Sequence, residues 1–253
     1  MKTIVRLAVT MLFLNSIIAN CQPKMVKIKG GTYIPLYGTN NQKVTIDNFY
    51  IDVYPVTNQE FLEFVKKHPE WKRSKALKLF VDDNYLNDWK SDTILNTNQN
   101  LQSPITSISW FAAKNYCEAQ NKRLPTVDEW EYVAMSNENM PDARTLKNYN
   151  EFILSWYEKP KTNIQTIGST FQNYWKVYDM HGLVWEWTSD FNAVLISGES
   201  RKDVDKDNDL FCGSAAVNAT DLMNYAAFMR YAIRGSLKAK YTMKNLGFRC
   251  VKD

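Results

Sequence analysis

Hydrophobic and polar positions alternate over residues 30–54, GGTYIPLYGTNNQKVTIDNFYIDVY, between Gly- and Asn-rich turns. A period of two residues bounded by turn formers predicts strands, here Thr32–Leu36, Gln42–Ile46 and Phe49–Val53. The period then lengthens. Thr57 followed three positions later by Glu60 forms a capping box, and Phe61, Phe64 and Val65 recur at helical spacing behind it. Ser109 heads a second helix over Trp110–Ala119, in which Phe111, Tyr116 and Ala119 repeat the spacing. Thr126 with Glu129 opens a third, short helix through Val133. The rest reads as short strands and long loops. Residues 72–103 and 136–176 are rich in Asn, Asp, Lys and Ser and predict surface insertions within one domain. No compositional linker marks a boundary and no internal repeat is present.

The N-terminus has its own pattern. Lys2 and Arg6 precede or flank an apolar run from Leu7 to Leu14, continued by Ile17 to Ala19. Charge followed by a short apolar stretch predicts an export signal over residues 1–20, too short for a firm membrane span; the alternative is a buried N-terminal helix. The signal ends Ile18-Ala19-Asn20-Cys21, which resembles a bacterial lipoprotein box apart from Asn20. Cys21 is then the expected lipidation site, residues 21–29 a tether and residues 30–253 the domain.

Charge removes one class of function. The chain has 31 Lys plus Arg against 27 Asp plus Glu; residues 1–20 hold two basic and no acidic side chain, so the mature balance falls from +4 to +2. Near neutrality, with no basic stripe interleaved with aromatics, gives no case for nucleic acid. Eight Trp and fourteen Tyr are present, residue types that need polar partners when buried. Beyond Cys21 stand Cys117, Cys212 and Cys250. Three cysteines allow one disulfide and one odd thiol, and spacing does not choose the pair. Trp110, Trp130, Trp185 and Trp187 are candidate anchors for loops. Arg123, Glu129, Glu131, Glu186, Asp190 and Arg249 stand among aromatics, where burial demands charge partners.

Six blocks in order resemble the formylglycine-generating enzyme, or sulfatase-modifying factor, domain: Gly30–Tyr33; Phe49–Asn58; Pro104–Cys117; Arg123–Tyr132; Gly182–Asp190; and Arg234–Ser236 with Asn245–Cys250. The resemblance implies an α+β class, with a single loop-rich domain related to the C-type-lectin fold. It pairs Cys117 with Cys250. It also implies a structural calcium on the loop Tyr178–Glu186, with Glu186 as charged ligand and the carbonyls of Gly182 and Val184 beside it, although Leu183 stands where the family usually has Asn. The alternative for Glu186 is an ion pair with an Arg of the closing blocks. The run Asp203–Asp209 lacks the Gly and terminal Glu of a calcium loop and reads as a solvated acidic loop.

Active enzymes of the family hold copper on two neighbouring cysteines. Here Cys212 is followed by no cysteine until Cys250, so the close pair is expected to be missing and formylglycine formation with it. The sulfoxide synthases that share the domain use three histidines on iron, whereas this chain has only His68 and His181. Copper and iron are therefore not expected. Cys212 and His181 remain candidate reactive or ligand residues, His181 with Asp179 or Glu186 beside it; His68 reads as solvated. The reading is an exported accessory or binding module of the cell envelope, periplasmic or outer-membrane, for an unidentified protein or small molecule, with membrane contact only through an N-terminal lipid. The alternative is a metal-dependent oxidoreductase with an atypical site.

Overall fold

The computed structural model describes residues 24–36, 42–158, 164–192 and 222–253. Its strands are short. A central sheet has the order β1-β4-β9, built from β1 (Met25–Ile28), β4 (Phe49–Asp52) and β9 (Val251–Lys252), all antiparallel, with Met25 opposite Asp52 and Ile51 opposite Val251. Two antiparallel ribbons accompany it: β2 (Gly31–Tyr33) with β3 (Val44–Ile46), and β5 (Trp89–Ser91) with β6 (Ile94–Leu95). A parallel pair joins β7 (Trp185–Glu186) to β8 (Leu246–Gly247). The strands expected near 32–53 are present in shortened form. Residues 25–28, expected in the tether, instead form β1 at one edge of the sheet, with Ile28 fully buried.

Three helices begin where their caps predict. The Thr57 and Glu60 side chains satisfy each other's backbone N–H groups at the start of α1 (Asn58–Lys67). Ser109 accepts from the Ala112 N–H at the start of α2 (Trp110–Ala119). Thr126 and Glu129 form the second capping box, on α3 (Val127–Ala134). Each cap fixes donors that a short helix would otherwise leave open.

The polar segments are not mere surface insertions. Val81, Tyr85, Leu86 and Trp89 lie in the main core, where Trp89, Tyr116 and Phe248 pack on Phe61. Residues 147–158 form α4 (Lys147–Glu158), whose Tyr149, Ile153 and Leu154 share a third cluster with Ala226 of α5 (Leu222–Ser236). Local polarity concealed both, because a segment needs only one apolar face to join a core. The second core, under the central sheet, gathers Ile28, Phe49, Ile51, Trp130, Val133 and Met180. Cys21, Cys212 and the run 203–209 lie outside the described residues.

Candidate functional site

The loop from Tyr178 to Glu186 forms one wall of a cavity of about 440 Å³. Trp130 from α3, Trp156 from α4 and Arg234 from α5 close its inner end, and Asn98, Asn100 and Asn245 stand at its exposed rim. Gly182 shapes the wall. Its φ is +94°, and an added Cβ would lie 2.6 Å from the Trp156 ring, so backbone conformation and close approach both require glycine.

Behind this wall the buried arginines Arg230, Arg234 and Arg249 are each paired with a carboxylate. Arg249 is fully buried and donates from Nε and Nη2 to the two oxygens of Glu186, each at 2.8 Å. Its remaining donors reach the carbonyls of Asp52, Val53 and Tyr178. The Glu186 carboxylate also accepts from the Trp130 indole N–H at 2.8 Å. One guanidinium thus ties β4, the cavity loop and the closing segment together. Of the two readings of Glu186, its side chain is where the ion-pair reading puts it. A cation on this loop would have to share a carboxylate already held by Arg249, so the side chain fits poorly as a dedicated ligand.

A second network adjoins the cavity through Arg234. Glu131 accepts from Arg230 Nε and Nη2 at 2.9 and 2.7 Å and from Arg234 Nη1 at 2.7 Å. Burial pushes its carboxyl up, but Arg230 and Arg234 outweigh burial and hold it at about 2. The Arg234 guanidinium lies 4.7 Å from the centre of the Trp130 ring, a cation–π contact. His181 is buried, with Nε2 2.9 Å from the Ala134 carbonyl oxygen, an arrangement in which the ring N–H donates. Burial, followed by the charge of Arg230, holds its imidazole neutral with a pKa of about 3.

The expected partners of His181 are elsewhere. Asp179 accepts from the Gly168 and Thr170 N–H groups and from the Thr170 hydroxyl, while Glu186 is taken by Arg249. Among the described residues no group of three or more His, Cys, Asp and Glu is placed to hold a metal. Of the other ionisable residues in the blocks, Arg123 pairs with Glu129 and Asp253, and Asp190 accepts from the Val127 N–H. His68 lies beside Glu70 and is partly exposed.

The expectation that a close cysteine pair is missing is corrected by the fold. Cys117 and Cys250, 133 positions apart, are joined in a disulfide with their Cα atoms 5.7 Å apart. A close pair is present, made by α2 meeting the residue before β9 and not by adjacency along the chain. The exclusion of formylglycine chemistry on the ground of a missing pair falls with it. The pairing of Cys117 with Cys250 is itself the one that the family resemblance implied.

The model of a family described as "Sulfatase-modifying factor enzyme 1-like domain" matches residues 16–253. The chain belongs to that family. Among relatives of the sulfatase-modifying factor domain, the inactive C-alpha-formylglycine-generating enzyme 2 of Bos taurus is 28% identical over 287 aligned positions, covering 89% of this chain and 87% of that protein. The formylglycine-generating enzyme of Mus musculus is 27% identical, covering 91% of this chain and 75% of that protein. Among solved structures, PvdO from Pseudomonas aeruginosa superposes with a TM-score of 0.52 at 18% identity, covering 90% and 94% of the two chains, and supports the fold alone.

Arg230, Arg234 and Trp156 escaped the sequence as site residues. Trp156 had a readable signal, since Tyr149, Ile153 and Trp156 fall at helical spacing. The two arginines had none as a pair with Glu131, from which about 100 residues separate them.

Proposed function

We propose that this sulfatase-modifying factor domain is an exported, non-catalytic accessory or binding module of the cell envelope. One observation carries the reading: His181, which lines the cavity, and Glu131, which binds the lining residue Arg234, are each locked in one form at neutral pH. Glu131, at about 2, stays ionised between two arginines, and His181, at about 3, stays neutral on a carbonyl. A general acid or base works with a pKa near the operating pH and a proton free to move. Three tryptophans inside and amide side chains at the rim suit binding, where rigid aromatics give contact area and amides adapt their hydrogen bonds. The ligand in this reading is an unidentified protein or small molecule, displayed against a scaffold related to the C-type-lectin fold.

The N-terminal reading belongs to the same proposal. Cleavage before Cys21 and lipid addition there would place the domain on a periplasmic or outer-membrane surface. Cys21→Ser would then release the protein from membranes or leave it unprocessed; a soluble mature protein with another N-terminus would favour plain secretion. The calcium reading rests on the carbonyls of the 178–186 loop. Calcium should then raise the melting temperature of the wild type, and an unchanged wild type rejects the site.

The test of the non-catalytic reading is metal content and oxygen consumption, measured on protein purified with and without reductant. The proposal expects no stoichiometric copper or iron after a mild chelator wash and no oxidation of a cysteine-containing peptide in either sample. Retained metal with turnover, including turnover that appears only when the Cys117–Cys250 pair is reduced, overturns it.

A further inference from the structure

We propose that the turn at residues 72–80 is a membrane-interface contact for anionic lipid headgroups, a second attachment carried by the folded domain and independent of its cavity. Leu77 and Leu79 are 63% and 75% exposed, more than any other large hydrophobic side chain among the described residues. Single exposed leucines are ordinary on protein surfaces. This pair sits in one turn, framed by Lys72, Arg73, Lys75 and Lys78.

The turn is built rather than slack. Arg73 Nη1 donates to the Trp89 carbonyl at 3.0 Å, and the N–H and hydroxyl of Ser74 donate to Asp92 at 2.8 and 2.6 Å. Phe80 turns inward against Trp71 and Phe111, and its N–H donates to the Leu77 carbonyl at 2.8 Å. Leu77 and Leu79 are therefore presented outward from a fixed base. Asp82 accepts from the N–H and hydroxyl of Thr242, which brings the segment with Lys238 and Lys240 alongside. Three carboxylates, Asp82, Asp83 and Asp92, stand against six basic side chains there, and Asp83 pairs with Lys78. A near-neutral chain thus collects basic side chains from two segments around two protruding leucines.

That arrangement matches an anionic bilayer surface. Leucines enter the headgroup boundary while Lys and Arg stems lie along it and keep their charges among the phosphates. An acidic protein would satisfy the same charges but would need a pocket shaped to two projecting leucines, whereas a lipid surface needs no such pocket.

Hydrogen exchange on the full chain, with vesicles of phosphatidylcholine alone or with phosphatidylglycerol added, tests the inference at the turn itself, so an N-terminal anchor does not confuse the reading. Exchange should slow at residues 72–80 and 238–242 with anionic vesicles only. Leu77→Ser with Leu79→Ser, and separately Lys72→Gln with Lys75→Gln, should each weaken this protection about tenfold, without lowering the melting temperature. No protection with anionic vesicles overturns the inference. Protection that survives in the leucine variant, or that polyglutamate produces and vesicles do not, overturns it in favour of plain electrostatic adsorption or an acidic protein partner.

Discussion

At the scale of single residues, Gly182 and His181 hold neighbouring positions with different physical demands. Gly182 occupies a left-handed backbone conformation against the Trp156 ring, so Gly182→Ala meets strain and a clash together. Loss of roughly 2–5 kcal/mol is expected, read from the urea midpoint. Glu186→Gln leaves the buried Arg249 without its countercharge, and breaking such a pair typically costs about 3–5 kcal/mol. His181 governs the response to acid. Its folded pKa of about 3 lies below the ordinary value of 6.5, so below pH 6.5 the unfolded chain takes up a proton that the folded chain refuses. Stability is therefore full above about 6.5 and falls as the pH drops toward 3. Glu131 adds a second loss with the same sign between 4.5 and about 2. In His181→Gln, whose amide can still donate to Ala134, the decline should begin near pH 4.5 instead of near 6.5. Urea midpoints measured from pH 8 to pH 4 check it, and an unchanged onset would assign the upper window to another group.

Elements show where the chain was legible and where it was not. The capped helices were legible because a cap is local chemistry: Thr57 with Glu60, and Thr126 with Glu129, act over one turn. The helix α5 was hidden because two of its inward positions are arginines. Ala226, Arg230 and Arg234 recur every four residues and all are buried, yet only the first reads as core. Ala226 meets Tyr149, Ile153 and Leu154 where α4 and α5 pack, so Ala226→Leu should cost about 1–3 kcal/mol by overpacking, measurable by thermal melting. The disulfide was legible only through family resemblance. Residue spacing left the partner open, while the fold brings Cys117 at the end of α2 to Cys250. Closing that loop stabilises by about 5 kcal/mol on the entropic model and often by less. Cys117→Ala with Cys250→Ala should melt lower, and mapping of the unreduced wild type should yield one peptide containing both cysteines.

Across the whole molecule, the α+β class and the six blocks could be read from the sequence because their Trp, Gly and Arg residues stand in a recognisable order. The cavity could not. Its inner wall is assembled from α3, α4, α5 and the 178–186 loop, and no local pattern records which distant segments will meet. The same holds for the central sheet, whose middle strand β4 lies between β1 and β9. That strand order has a consequence for how the protein comes into being. A ribosome or an export pore delivers residues 25–52 long before residues 249–252, and only the latter bring Arg249, Cys250 and the third strand. β1 and β4 can pair early, but the sheet lacks its third strand until nearly the entire chain has emerged. The last five residues thus complete the sheet, the disulfide and the buried ion pair together, and a molecule interrupted before residue 249 lacks all three.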